Sequence, residues 1–105
     1  MIEVAVPTAL AQIASPLTVT GRARGPWYFE GSFPVELIDD ATNLPLAVGM
    51  AQAQGEWMTE NWVPFSVVLT FAAQPSGNTG KLILRNDNPS GLPENEMSVV
   101  IPVQF

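Results

Sequence analysis

The chain contains neither cysteine nor histidine among its 105 residues. Without cysteine it has no disulfides, no thiolate metal sites and no cysteine nucleophile. Without histidine it lacks the commonest general base, the Ser-His-Asp triad and the usual ligand of transition metals. We therefore expect no catalytic residues and no cofactor.

Basic residues are also scarce. The chain has four basic and ten acidic residues, and its formal net charge is −6. Such a balance disfavours nucleic acid and anionic membrane surfaces as partners. The sequence has no apolar run of the roughly 20 residues that a membrane-spanning helix needs, and no signal-peptide pattern at its start. We expect no nucleic-acid partner and no direct membrane insertion.

What is abundant is alternation of apolar and polar residues with period two, which is typical of half-buried strands. It is clearest at 65–71 and 97–105, and about seven such segments are separated by turn residues. This spacing predicts a single antiparallel β-sandwich domain over residues 1–105. The Ala-rich segment 8–14 predicts a short helical turn. Pro34 and Pro102 lie inside strand patterns and predict edge strands or bulges.

In a sandwich of this kind the loops 24–30, 54–63 and 86–96 share one end. They hold all the tryptophan and tyrosine of the chain. Exposed rings there would form a binding face for a protein or a sugar. Alternatively, Trp27, Phe29, Trp57 and Trp62 fold inward and cap the open end of the core. Both can hold, with some rings buried and Tyr28 or Trp57 left exposed. The candidate binding surface consists of Trp27, Tyr28, Phe29, Trp57, Glu60, Trp62, Asn88, Pro89, Leu92 and Pro93.

Three stretches of the sequence together carry a resemblance to a known family: SPLTVTGRARGPWYFEGSFPVEL at 15–37, AQAQGEWMTENWVPF at 51–65 and DNPSGLPE at 87–94. With them the chain resembles the immunoglobulin-like Gmad domain, which is found beside GerMN domains in bacterial sporulation and spore-germination proteins. The resemblance implies an all-β, immunoglobulin-like sandwich from a bacterium. It also implies an extracytoplasmic location as part of a longer envelope or secreted protein, and it supplies no catalytic residues.

Two charged groups have more than one interpretation. Asp87, Asn88, Glu94 and Glu96 offer oxygen ligands that could hold calcium, but the prolines and glycine between them equally fit a turn without an ion. Arg22 and Arg24 point to the same face of a strand. Salt bridges to Glu36 or another neighbouring carboxylate are the ordinary explanation, and recognition of an anionic group is the alternative.

Together these features favour a non-catalytic binding or adaptor module whose partner is a protein or a cell-wall component. A purely structural spacer is the alternative from a different class. A carbohydrate-binding module that uses the loop aromatics is a special case of the first. A pair of carboxylates for glycoside hydrolysis is disfavoured, because a domain of this size rarely builds a deep cleft.

Overall fold

A computed structural model describes residues 2–28, 30–86 and 97–105. Within these ranges the chain is built of eight strands and one short 3₁₀ helix, Gly25–Trp27. The strands are β1 (Ile2–Val6), β2 (Ala11–Gln12), β3 (Leu17–Arg24), β4 (Ser32–Asp39), β5 (Pro45–Ala53), β6 (Trp62–Leu69), β7 (Thr79–Arg85) and β8 (Ser98–Gln104).

The strands form a curled sheet in the order β1-β3-β6-β5-β4-β7-β8-β2. β5 pairs with β4 along nearly its whole length, but with β6 only through Gln52–Ser66 and Ala53–Phe65. The sheet therefore curls into two layers, β1-β3-β6 and β5-β4-β7-β8, and both contribute inward side chains to one apolar core. This confirms the expected all-β, immunoglobulin-like sandwich.

The alternating pattern is reflected directly in burial. Along β6 the side chains of Val63, Phe65, Val67 and Leu69 are buried, and those between them are half-buried or exposed. All seven predicted strands are present. β3, β6 and β7 each bury one face because side chains alternate across the sheet, whereas β1 has no buried residue and β5 buries only Ala51.

The helical turn predicted at 8–14 is wrong. Leu10 has a φ of 65° and its N–H donates to the carbonyl of Pro102 at 2.6 Å. The short β2 follows and pairs in parallel with β8. The free backbone groups along β8 thus recruit this segment as a strand, and hydrogen bonding to an edge outweighs the helix propensity of alanine.

The two strand prolines differ. Pro102 lies in β8, which has β7 on one side and only the two-residue β2 on the other. β4 is central, so the expectation of an edge strand at Pro34 is wrong, but the alternative of a bulge holds for this strand, whose register against β5 shifts between Leu37 and Ile38. The proline is accommodated because Pro34 pairs with Met50 of β5 but lies just beyond the β4–β7 ladder, which starts at Val35.

No helix among the described residues is long and apolar enough to cross a membrane.

Candidate functional site

The loops after β3 and β5 meet at one end of the sandwich, as predicted. The last residue of β3, Arg24, pairs with the first of β6, Trp62. Gly25 donates its N–H to the carbonyl of Asn61 at 3.2 Å, and Ala53 donates to the carbonyl of Gly31 at 2.8 Å. Several predicted site residues lie outside the described residues: Phe29, Asn88, Pro89, Leu92 and Pro93 of the candidate binding surface. The calcium candidates also lie there, namely Asp87, Asn88, Glu94 and Glu96.

Trp27 forms the inner layer of this end. Pro26 fits the first turn of the 3₁₀ helix because its fixed φ matches a helix start. The turn directs the indole ring inward, where it is 2% exposed and meets Phe33 edge to face, with ring centroids 6.4 Å apart. The indole Nε1 is buried and has no hydrogen-bond acceptor among the described residues. The core-capping alternative is confirmed for Trp27.

Tyr28, the single tyrosine of the chain, is also part of the inner layer. It is 5% exposed, its ring lies 5.3 Å from that of Phe33, and its hydroxyl donates to the carbonyl of Val63 at 2.7 Å. Burial raises the pKa of Tyr28 to about 12, partly opposed by a hydrogen bond with the backbone of Ala23. Of the two rings that could have been left exposed, Tyr28 is therefore buried, because a backbone acceptor at the start of β6 allows its hydroxyl to be buried.

Two glycines let the loops approach each other closely. A Cβ on Gly25 would lie 2.6 Å from the carbonyl oxygen of Trp57 and still closer to that of Thr59. Gly31 has a φ of +76°. A Cβ built on Gly31 would lie 3.0–3.1 Å from atoms of the Trp57 indole. The loop 54–61 is thus packed against the β3–β4 connection by backbone contact, and Trp57 is half-buried.

The outer layer of this end is the segment from Trp57 to Glu60. Met58 is 76% exposed and Glu60 is exposed. Local hydrogen bonds hold the segment in place: the Met58 N–H donates to the Glu56 carboxylate at 3.2 Å, and the Thr59 N–H donates to the carbonyl of Trp57 at 2.9 Å. A shallow cavity of about 420 Å³ lies here, lined by Gly25, Pro26, Tyr28, Trp57, Met58, Thr59 and Glu60.

Trp62 belongs to strand β6 and lies on its outward face, where it is half-buried. The guanidinium groups of Arg22 and Arg24 lie over its ring, 4.5 Å and 4.3 Å from the centroid. Arg22 also pairs with Glu3 of β1, with a closest distance of 3.1 Å. The expected salt bridge to a neighbouring carboxylate is thus confirmed for Arg22, but the partner is Glu3, because Glu36 binds Arg85. The stacking on Trp62 was not predicted, because the register that places Trp62 opposite Arg24 is not local in sequence.

A second cavity, of about 570 Å³, lies at the opposite end of the sandwich. The rings of Phe71 and Phe105 line it and meet edge to face, 6.0 Å apart. Its polar lining consists of Gln12, Ser15, Gln74 and Ser76, all uncharged. The sequence did not predict a site among these residues, so this end serves as the comparison for binding experiments at the loops.

The strand order, the curled two-layer sheet and the aromatic layer under the β3–β4 loop define an immunoglobulin-like β-sandwich. The chain belongs to the Gmad2 family, the immunoglobulin-like domain of bacterial spore germination, whose model matches residues 1–91. This confirms the resemblance and makes the chain a module related to spore germination. Comparisons with curated proteins and with solved structures gave no match.

Proposed function

We propose that this chain is a non-catalytic binding or adaptor module of a bacterial envelope or secreted protein, and that it acts outside the cytoplasm in sporulation or germination. The lack of cysteine and histidine supports a role without catalysis. Membership in a family of spore-germination domains supports the context. The binding partner in this proposal is another protein.

The single observation that carries the binding role is the layering of the loop end. Trp27 and Tyr28 are buried beneath it, whereas Met58 is 76% exposed on a segment held by backbone contacts at Gly25. A large flexible thioether presented on a rigid support suits protein contacts, since methionine adapts to varied apolar surfaces. Preorganisation of the loop also lowers the entropy cost of binding.

Photo-crosslinking from position 58 tests the proposal. We expect the Met58→p-benzoylphenylalanine variant of the full chain, produced in a spore-forming bacterium, to crosslink to one defined envelope protein. The same substitution at the exposed Ser76, at the opposite end beside the larger cavity, is the matched control and should give no such product. Adding Trp57→Ala should reduce the crosslink from position 58, because Trp57 lines the same shallow cavity.

Crosslinks from position 76 alone would move the binding surface to the opposite end. If neither position yields a product, the purely structural spacer becomes the better account. In that case the aromatic layer serves only to close the core.

A further inference from the structure

The outward face of the β1-β3-β6 layer holds a pair of stacked arginines. Two of the four basic residues of the chain, Arg22 and Arg24, lie two apart on β3 and both stack on Trp62. Stacking on an aromatic ring orients the plane of a guanidinium group and leaves its N–H donors free at the edge. Both guanidinium groups are thus positioned over the Trp62 ring.

The two arginines are not equivalent. Arg22 donates from Nε and Nη2 to the two carboxylate oxygens of Glu3, each at 3.2 Å, in a two-point contact. Arg24 donates from Nη1 to the carbonyl of Glu60 at 3.5 Å, the limit of hydrogen-bond range. Among residues 2–28, 30–86 and 97–105, no carboxylate lies within salt-bridge distance of Arg24.

This is unexpected in a chain with ten acidic residues and a net charge of −6. Lys81 and Arg85 each have a carboxylate partner, Asp40 and Glu36. Two guanidinium groups over one ring repel each other, and Glu3 compensates only one of the two charges. Within the part of the chain that the structure describes, one further carboxylate can therefore pair with Arg24.

We propose that Arg24 is the docking point for a carboxylate side chain on a segment of the partner protein. This inference rests on the proposed binding role and gives the partner its chemistry. The site adjoins the β5–β6 segment, since Arg24 contacts the backbone of Glu60, so one partner segment can touch both. The exposed Pro64, two residues beyond Trp62 on the outward face of β6, extends it with apolar surface.

A single carboxylate fits this site better than a dense polyanion. Glu3 lies beside Arg22, the backbone of the exposed Glu60 lies beside Arg24, and the whole domain is negative. A polyphosphate chain would be repelled by this field. An isolated carboxylate on an otherwise neutral segment needs only the fork of one guanidinium.

The test is a nuclear magnetic resonance titration at low salt with the peptide acetyl-Ala-Glu-Ala-Ala-Glu-Ala-amide. We expect the Trp62 indole and Arg24 Nε–H signals to shift, with a dissociation constant of roughly millimolar order for so short a probe. The matching peptide with glutamine in place of glutamate should cause no shift. Inorganic polyphosphate, the alternative anion source, should bind more weakly than the glutamate peptide.

Arg24→Gln is expected to weaken peptide binding about tenfold or more, the usual effect of losing a charge-assisted hydrogen bond. Arg85→Gln removes the same charge on the other layer and should change the affinity little, which separates a local contact from the general field. Arg24→Lys should restore only part of the affinity, because an ammonium group lacks the planar fork.

Equal losses in Arg24→Gln and Arg85→Gln, equal shifts with the glutamine peptide, or stronger binding of polyphosphate would each overturn the inference. So would a failure of the glutamate peptide to perturb Trp62. A crosslink from position 58 that persists in Arg24→Gln would refute carboxylate docking while leaving the binding role intact. Absence of a crosslink from the Met58→p-benzoylphenylalanine variant with Arg24 intact would instead contradict the binding role itself.

Discussion

Trp27→Ala is expected to lower the free energy of unfolding by about 3–5 kcal/mol, the usual cost of truncating a large buried aromatic side chain. The ring is 2% exposed and meets Phe33, which in turn contacts Tyr28 and Phe65 at centroid distances of 5.3 Å and 4.9 Å. Removing the indole leaves a cavity beside Phe33, the ring that the other aromatic side chains of this cluster contact. Small sandwich domains have little stability to spare, so this variant is expected to be close to unfolding.

Chemical denaturation followed by circular dichroism measures the effect. Trp57→Ala is the matched control, because it removes the same side chain from the half-buried outer layer of the same end. We expect its cost to be clearly smaller. Equal losses for the two variants would mean that both rings are core residues, and the division into a supporting layer and a presented layer would be wrong.

Gly25→Ala is expected to destabilise the domain by about 3 kcal/mol or more, at the upper end of the usual range for overpacking. The added methyl group would collide with the backbone carbonyls of Thr59 and Trp57. A backbone cannot rotate away as a side chain can, so the whole loop 54–61 must shift. The variant should therefore also lose the position 58 crosslink, even under conditions in which it remains folded.

Gly49→Ala is the comparison for this prediction. Its added methyl group would meet only side-chain atoms, Cδ2 of Leu69 at 2.8 Å and Cγ2 of Val67 at 3.0 Å, and rotamer changes can relieve such contacts. Thermal unfolding of the two variants should show the larger fall for Gly25→Ala. A Gly25→Ala protein with unchanged stability and crosslinking would show that the two loops do not pack as tightly as described.

The strands could be predicted because alternation along β6 and β8 is a local signal that follows directly from the geometry of a strand. The gathering of the loops at 24–30 and 54–63 also followed, since chain direction alternates in an antiparallel sandwich. The small β2 did not, because residues 11 and 12 become a strand only through the backbone of β8, which is distant in sequence. The central position of β4 was missed because a proline tolerated at the end of one ladder looks the same in sequence as one at an edge.

The candidate site was only half predictable. The sequence predicted which aromatic residues gather at one end of the sandwich, but not which of their rings face inward. Tyr28 is buried because Val63, 35 residues away, presents a carbonyl to its hydroxyl. Trp62 stacks with two arginines because β3 and β6 pair in a particular register. Both outcomes depend on contacts between distant segments, which residue type and local spacing do not specify.

The central claim is that Trp27 supports the site while Trp57 and Trp62 lie at its surface. Acrylamide quenching of tryptophan fluorescence tests this claim most directly. The Trp57→Phe/Trp62→Phe variant leaves Trp27 as the single tryptophan. We predict that the unaltered protein is partly quenched, whereas this variant emits at shorter wavelength and resists quenching. If Trp27 alone is quenched as readily as the three together, the ring is exposed, and the layered arrangement from which the binding role was argued is wrong.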